Sequence, residues 1–312
     1  MSDSVAEKPA EEAPVATPAA KKRRRVLAER ALSTVILWGV TVGVFVSMQP
    51  WAYFGLMFFL ATMGAWEFRK MLDGQPGKGC RTIGFLTGVV MLVMLWATIL
   101  RETAVRPGFD WEMTGLLIAV AGGFCWRFRV GIAGRESINA VSDGIMTYVY
   151  VPVLFGSFAM RLAFAPVSDA AVPGAWLVLL MLTIAKFTDM GAYLVGSMIG
   201  KHKMAPKLSP GKTWEGFGGA LLFALIAGYG IWFLAGDALA WLPVGHVAPL
   251  SLIAGVFAVA GDLSESVLKR SLGVKDSGKL MPGIGGVLDL VDSMCFAAPV
   301  VYLYLVATGL IQ

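Results

Sequence analysis

Acidic and basic residues cluster near the C-terminus of a chain that is otherwise strongly apolar. Residues 275–293, KDSGKLMPGIGGVLDLVDS, hold three aspartates and two lysines among glycines that disfavour a regular helix. Asp289 and Asp292 have i, i+3 spacing, so a helix beginning there places both carboxylates on one face. Two carboxylates beside lysines and free backbone N–H groups suit a divalent cation that carries a polyphosphate. Aspartates at a helix N-terminus are also ordinary caps, so the pair alone leaves both interpretations open.

A second polar cluster, GDLSESVLKRSLGVKDSG at residues 261–278, overlaps the start of this stretch. A helix there would place four polar side chains on one face: Asp262, Glu265, Ser266 and Lys269. Glu265 and Lys269 have the i, i+4 spacing of an ion pair, which needs no ligand. Asp262 is left without a cation, and ionisable residues at membrane depth are functional by default, so Asp262 is a candidate ligand.

A third cluster contains Asp189 and the turn SPGKT at residues 209–213, which precedes an apolar segment. The turn has the composition of a phosphate cradle, with N–H groups, hydroxyls and Lys212 near a helix N-terminus. It lacks the spacing of a Walker A loop, and a solvated loop that closes a helix hairpin is the alternative. Lys186 precedes Asp189 by one helical turn; it could pair with Asp189, which the spacing favours, or reach phosphate.

The elements that position these clusters are predicted to be membrane helices. Hydrophobic residues make up 57% of the 312 residues, charged residues 15%, and the mean hydropathy is +0.70. This composition predicts an all-α polytopic integral membrane protein. The three polar clusters predict a polar, cytoplasm-facing cavity in its C-terminal half. Apolar stretches long enough to span a bilayer, or nearly so, occur at nine places: residues 31–48, 51–67, 83–100, 114–126, 145–165, 174–198, 216–235, 247–267 and 290–310.

Basic residues predict the orientation of these spans. Most of the 26 lysines and arginines fall in the N-terminal tail and in alternate loops, and the predicted outside loops hold only Arg101 and Arg106. The positive-inside tendency therefore puts the N-terminus in the cytoplasm, and the basic charge needs no nucleic acid to explain it. We predict a disordered cytoplasmic tail at residues 1–30, transmembrane helices at 31–172, and a catalytic transmembrane domain at 173–312. The span after the basic run exceeds a signal-peptide core, so we expect it to be retained.

Cysteine and histidine are unsuited to a metal centre here. The three cysteines are widely separated and form no CxxC pair, so neither a disulfide framework nor a thiolate site is predicted. His202 and His246 fall on opposite sides of the predicted membrane, which excludes a zinc site built from both. A metal in this protein must therefore be held by oxygen ligands.

The polar clusters together resemble the C-terminal signature of the phosphatidate cytidylyltransferases, also called CDP-diacylglycerol synthases. The matching positions are Ser266, Leu268, Lys269, Arg270, Lys275, Asp276, Gly278, Pro282, Gly283, Gly285, Gly286, Asp289 and Asp292. The segment TDMGAYLVGSMIGKHKMAPKLSPGKTWEG, from Thr188 to Gly216, is similar to the family's other motif. The resemblance covers roughly residues 185–295, and the N-terminal half matches only as a polytopic membrane domain.

The resemblance implies that CTP and phosphatidate react with Mg²⁺ to give CDP-diacylglycerol and pyrophosphate, with a second, monovalent cation nearby. It implies metal ligands at Asp189, Asp262, Asp289 and Asp292. Catalytic roles fall to Lys269 and Arg270 together with Asp289 and Asp292. Substrate-binding roles fall to Ser209, Lys212, Ser266, Lys275 and Asp276. A homodimer fits the family. No organelle-targeting segment is evident in the sequence, so we expect a bacterial inner membrane.

Two positions depart from the family pattern. Ile284 stands where the family has histidine, and Leu290 where it has arginine. Losing an arginine that grips phosphate removes a strong contact, for which Lys279 is a candidate replacement. The alternatives are a related CTP-dependent enzyme with another acceptor lipid, or a non-catalytic membrane protein or transporter that keeps the ion-binding residues. A transporter predicts inverted repeats, and no matching cluster occurs in the first half.

Overall fold

The computed structural model describes residues 35–100, 110–274, 277–278 and 285–311. The predicted disordered tail lies outside these residues, as do the predicted site residues Lys275 and Asp276. Ile284 and Lys279 also fall outside them.

Helices account for most of the described chain. They are α1 (Val35–Ser47), α2 (Pro50–Met71), α3 (Lys78–Leu100), α4 (Trp111–Val130), α5 (Arg135–Tyr148), α6 (Phe158–Ala163), α7 (Ala175–Ile199), α8 (Trp214–Ala235), α9 (Val244–Ser271) and α10 (Leu288–Ala307). A π-helical segment, Val149–Ser157, joins α5 to α6, and a 3₁₀ turn, Gly236–Leu239, follows α8. Strands β1 (Lys203–Ala205) and β2 (Ser209–Thr213) form an antiparallel hairpin between α7 and α8, with Lys203 opposite Thr213 and Ala205 opposite Ser209.

The protein is an all-α integral membrane protein with one small hairpin. Within the described ranges, seven continuous helical segments are long and apolar enough to cross a bilayer. Of the other two, α1 is apolar but short, and α2 carries Glu67, Arg69 and Lys70 in its last turns. A helix lies at each of the nine predicted positions, and nine crossings remain a prediction.

The continuous helical rod formed by α5, the π segment and α6 begins earlier than predicted. The span predicted at residues 145–165 begins instead at Arg135, because the first turns of α5 carry polar side chains that hydropathy does not detect. Pro152 lies inside the rod, within the π-helical segment. Proline cannot donate its backbone hydrogen bond, and the wider π turn accommodates that loss without ending the helix.

Small residues let the C-terminal helices approach closely. A Cβ added to Gly191 of α7 would lie 2.6 Å from the carbonyl oxygen of Gly219 on α8. A Cβ added to Gly261 of α9 would collide with the carbonyl oxygen of Asp292 on α10. Close backbone contact of this kind is how membrane helices associate without a hydrophobic driving force. It places the polar residues of α9 directly beside those of α10.

Both halves of the chain contribute to one buried apolar cluster. Leu92 of α3 and Val151 of the π segment belong to it, as do Leu180 of α7 and Val291 of α10. The predicted boundary at residues 172 and 173 therefore crosses continuous packing, and it stays a prediction.

Candidate active site

Lys269 of α9 joins two carboxylates. Its Nζ lies 2.6 Å from Oε2 of Glu265 and 2.8 Å from Oδ1 of Asp289 on α10. The predicted i, i+4 pair of Glu265 and Lys269 is confirmed, and Lys269 also links α9 to α10. The side chain of Lys269 is 17% exposed and that of Glu265 only 1%, so solvent screens these charges weakly.

Asp289 is held by backbone and side-chain donors as well as by Lys269. Its Oδ2 accepts a hydrogen bond from Gly286 N at 2.7 Å and one from the buried Ser277 hydroxyl at 2.9 Å. Gly285, one residue earlier, has φ of +128°, a conformation that favours glycine. The glycines that interrupt the helix before Asp289 therefore shape the backbone that orients its carboxylate.

Glu67 of α2 reaches the same place from the N-terminal half of the chain. Its side chain is buried, and its Oε2 accepts a hydrogen bond from Leu288 N at 2.9 Å. The sequence interpretation missed this residue because it assigned Glu67 to the end of a predicted span. A carboxylate at the edge of an apolar helix was the available signal, since such residues are functional by default.

Asp262 of α9 has a cation after all. Lys212 Nζ, from the β1–β2 hairpin, lies 2.9 Å from Asp262 Oδ2. The predicted loop at residues 209–213 is strand β2, followed directly by α8, whose N-terminal Gly216 N–H is capped by the Thr213 hydroxyl at 3.1 Å. The hairpin thus positions Lys212 against the charged face of α9.

A polar cavity of about 260 Å³ lies under this hairpin. Its lining includes Asp189, Tyr193, Ser209, Lys212, Phe217 and Asp262. Four predicted site residues, Asp189, Ser209, Lys212 and Asp262, therefore share one cavity. It offers cationic, hydroxyl and carboxylate groups beside two aromatic rings.

Asp189 and Asp292 meet through Ser293. The Ser293 hydroxyl lies 3.4 Å from Asp189 Oδ2 and 3.2 Å from Asp292 Oδ1, and Asp292 Oδ1 also accepts from Ser293 N at 2.5 Å. Asp292 is buried, and no lysine lies within ion-pair distance of either aspartate in the described part of the chain. These carboxylates therefore retain oxygen lone pairs that could bind a cation.

The donor chemistry of this region fits Mg²⁺. Asp189, Asp262 and Asp292 supply hard oxygen ligands, which Mg²⁺ prefers, and Mg²⁺ usually completes its shell with water and substrate phosphates. Among the described residues, no group of three acidic, histidine or cysteine side chains lies close enough together to hold a metal ion. A bound Mg²⁺ would therefore need phosphate or water oxygens besides these carboxylates.

The remaining predicted residues lie at varied positions. Ser266 is half-buried on α9, and Arg270 is exposed near the end of that helix. Lys186 does not form the predicted ion pair with Asp189; it donates a hydrogen bond to the Leu290 carbonyl oxygen at 3.0 Å. Lys186 therefore links α7 to the backbone of α10.

An apolar cavity of about 310 Å³ lies along the preceding turns of α7. It is lined by α1, α2, α7, α10 and the π segment with α6, and its lining includes Leu56, Phe155, Val178, Met181 and Leu290. Lys186 is the one charged residue in the described lining. Because Lys186 and Asp189 are one turn apart on α7, the apolar and polar cavities are neighbours.

The fold and site together define a polytopic helical membrane protein with a lysine and carboxylate site at one end of its C-terminal helices. Residues 28–308 match the model of the cytidylyltransferase family, and the chain belongs to that family.

Three bacterial relatives illustrate the similarity. A phosphatidate cytidylyltransferase of Staphylococcus aureus is 42% identical over 57% of this chain and 71% of its own length. One of Haemophilus influenzae is 29% identical over 88% of this chain and 96% of its own. The uncharacterized protein YnbB of Escherichia coli is 41% identical over 42% of this chain, which spans 43% of that relative's length.

Proposed function

We propose that the protein is a phosphatidate cytidylyltransferase, which transfers CMP from CTP to phosphatidate and releases CDP-diacylglycerol and pyrophosphate. The observation that carries this function is the arrangement of α7, which lines an apolar cavity with Lys186 and a polar cavity with Asp189. A substrate with acyl chains and a phosphate head group needs both environments in contact. The family and the names of the relatives support the same activity.

In this reaction a phosphate oxygen of phosphatidate attacks the α-phosphorus of CTP. The new P–O bond forms as the bond from the α-phosphorus to the α,β-bridging oxygen breaks, and pyrophosphate leaves with that electron pair. Such a transfer depends on alignment and charge neutralisation more than on covalent help from the protein. Lys212, Ser209 and Lys269 are the groups that would align the phosphates and oppose their charge. Arg270, exposed near the end of α9, would meet phosphates that approach from the aqueous side.

Mg²⁺ would be held by Asp189, Asp262, Asp289 and Asp292, and when bound it would neutralise charge on the triphosphate. Asp289 differs from the other three because three donors already fix its carboxylate. A second, monovalent cation stays a prediction from the family resemblance.

The protein is an integral membrane protein, and we place it in a bacterial inner membrane with its N-terminus in the cytoplasm. The bacterial relatives and the basic loops support this placement. CTP is a cytoplasmic nucleotide, so the site must open to that side. A homodimer is consistent with the family and stays a prediction.

The test is product formation by the purified protein in detergent micelles with CTP, phosphatidate and Mg²⁺. We expect CDP-diacylglycerol and pyrophosphate from the unsubstituted protein and a loss of both with Asp289→Asn. Asp143→Asn is the matched control, since Asp143 pairs with Arg81 at 3.4 Å and is not one of the predicted site residues. Release of CDP in place of pyrophosphate would indicate a CTP-dependent lipid kinase. Folded protein that binds no CTP would support the non-catalytic alternative.

A further inference from the structure

Glu67 occupies a position at the site that no motif of the C-terminal half explains. It belongs to α2, its side chain is 3% exposed, and its contact with Leu288 joins residues 221 positions apart in the chain. A buried carboxylate is costly unless it is hydrogen-bonded and has a role that retains it.

The contact supplies a cap that α10 otherwise lacks. The first N–H groups of a helix have no partner within the helix, and a polar side chain at the preceding residue usually accepts from them. The residue before α10 is Val287, which makes no side-chain cap hydrogen bond. Glu67 accepts from Leu288 N instead, and a carboxylate at a helix N-terminus is also favoured by the helix dipole.

Two glycines leave space for the carboxylate of Glu67. A Cβ at Gly278 would collide with Glu67 Oε1, and a Cβ at Gly286 would collide with Oε2. The chain segments that hold Asp289 therefore pass directly against Glu67. Gly286 donates to Asp289 through its N–H, and Ser277, next to Gly278, donates through its hydroxyl.

We propose that Glu67 is a positioning residue for Asp289. It fixes the first turn of α10 and the two glycine-containing segments, and these in turn aim the Asp289 carboxylate toward Lys269 and the polar site. Without Glu67, the buried Leu288 N–H loses its acceptor and the first turn of α10 can shift. This role rests on the proposed function, since it concerns the geometry of that reaction.

Glu67→Ala and Glu67→Gln test the role in the purified protein. Supporting groups of this kind change activity by about 10- to 100-fold when removed. We expect Glu67→Ala to lower kcat per folded molecule within that range. CTP binding by calorimetry should stay within roughly threefold, because binding groups such as Lys212 are untouched. Glu67→Gln keeps a carbonyl oxygen for Leu288 N–H, and we expect it to restore most of kcat.

A matched control and a double variant separate positioning from folding. Glu112→Ala removes a half-buried carboxylate of the N-terminal half, which pairs with Arg161 of α6 at 2.7 Å. It should lower thermal stability and leave kcat per folded molecule unchanged. Ser277→Ala removes another hydrogen bond that positions Asp289. The fold-loss of kcat in the Glu67→Ala, Ser277→Ala double variant should therefore be smaller than the product of the two single fold-losses.

Some results would overturn the role of Glu67. Unchanged kcat in Glu67→Ala would do so. A fall in activity that only matches the fall in the folded fraction would also do so. The third such result is a double variant with Ser277→Ala whose fold-loss of kcat equals the product of the two single fold-losses. If Glu67→Ala does not fold, Glu67→Asp replaces it, because its carboxylate is one methylene short of Leu288 N–H. Equal kcat for Glu67→Asp and the unsubstituted protein would then reject the role. Failure of the unsubstituted protein to form product would refute the proposed function instead.

Discussion

Replacing Lys269 by methionine should destabilise the protein strongly. Methionine keeps much of the length of the side chain and removes the ammonium that Glu265 and Asp289 share. The side chains of Lys269 and Asp289 are 17% and 16% exposed and that of Glu265 is 1% exposed, so both carboxylates would be left poorly solvated. Breaking a buried ion pair by removing one partner costs about 3–5 kcal/mol.

That free energy corresponds to a large shift in melting temperature. With an unfolding entropy of about 2.1 cal/mol/K per residue, a chain of 312 residues loses about 1.5 °C of Tm for each kcal/mol. A fall of roughly 5–8 °C is therefore expected for Lys269→Met. Unfolding can be followed in detergent with a thiol-reactive dye, because Cys80 and Cys295 are free and buried, in a background where the exposed Cys125 is serine.

A double variant tests whether the unpaired charges cause the loss. Glu265 Oε1 has no hydrogen-bond partner among the described residues, and Lys269 is the cation that pairs with Glu265 there. Adding Glu265→Gln to Lys269→Met removes one uncompensated carboxylate and should recover part of the lost Tm. A Tm for Lys269→Met within about 2 °C of the unsubstituted protein would refute the reasoning. A lower Tm for the double variant than for Lys269→Met would refute it as well.

Three further predictions concern CTP binding, helix packing and acyl chains. Lys212→Ala should weaken CTP binding about tenfold by calorimetry, since it removes one charge-assisted contact, and unchanged affinity would exclude Lys212 from the nucleotide site. Gly261→Val should collide with the Asp292 carbonyl and lower kcat at least about tenfold, whereas full activity would mean that close packing of α9 on α10 is not needed. Val178→Phe should fill the apolar cavity and shift preference toward phosphatidate with shorter acyl chains in a competition assay, and unchanged preference would indicate that acyl chains bind elsewhere.

Hydropathy predicted where helices lie, but their limits depended on features that hydropathy does not measure. The fourth segment, predicted at residues 114–126, extends over Trp111–Val130 because Asp110 caps its N-terminus and Gly131 ends it. The rod that begins at Arg135 was underestimated because its first turns are polar. The β1–β2 hairpin was predicted as a turn, since five residues of SPGKT carry no alternation of apolar and polar side chains.

The site was predictable where its contacts are local. The spacing of Glu265 and Lys269 predicted their ion pair, and the glycine-rich stretch predicted a helix start near Asp289. The predicted pair of Lys186 and Asp189 was wrong because a backbone carbonyl of another helix competed for the ammonium. The Lys212 contact with Asp262 and the Glu67 contact with Leu288 depend on how distant helices pack, which spacing along the chain does not specify.

The contact between Glu67 and Leu288 has a consequence for biosynthesis. Ribosomes add about 5–20 residues per second, so the 221 residues between the two partners take roughly 10–40 s to synthesise. During that interval α2 can already be in the membrane while the donor for its carboxylate does not yet exist. Glu67 must meanwhile stay hydrated or protonated near the bilayer surface. The N-terminus of α10 is capped by α2, which is synthesised long before it. A nascent chain truncated before α10 therefore cannot assemble the site.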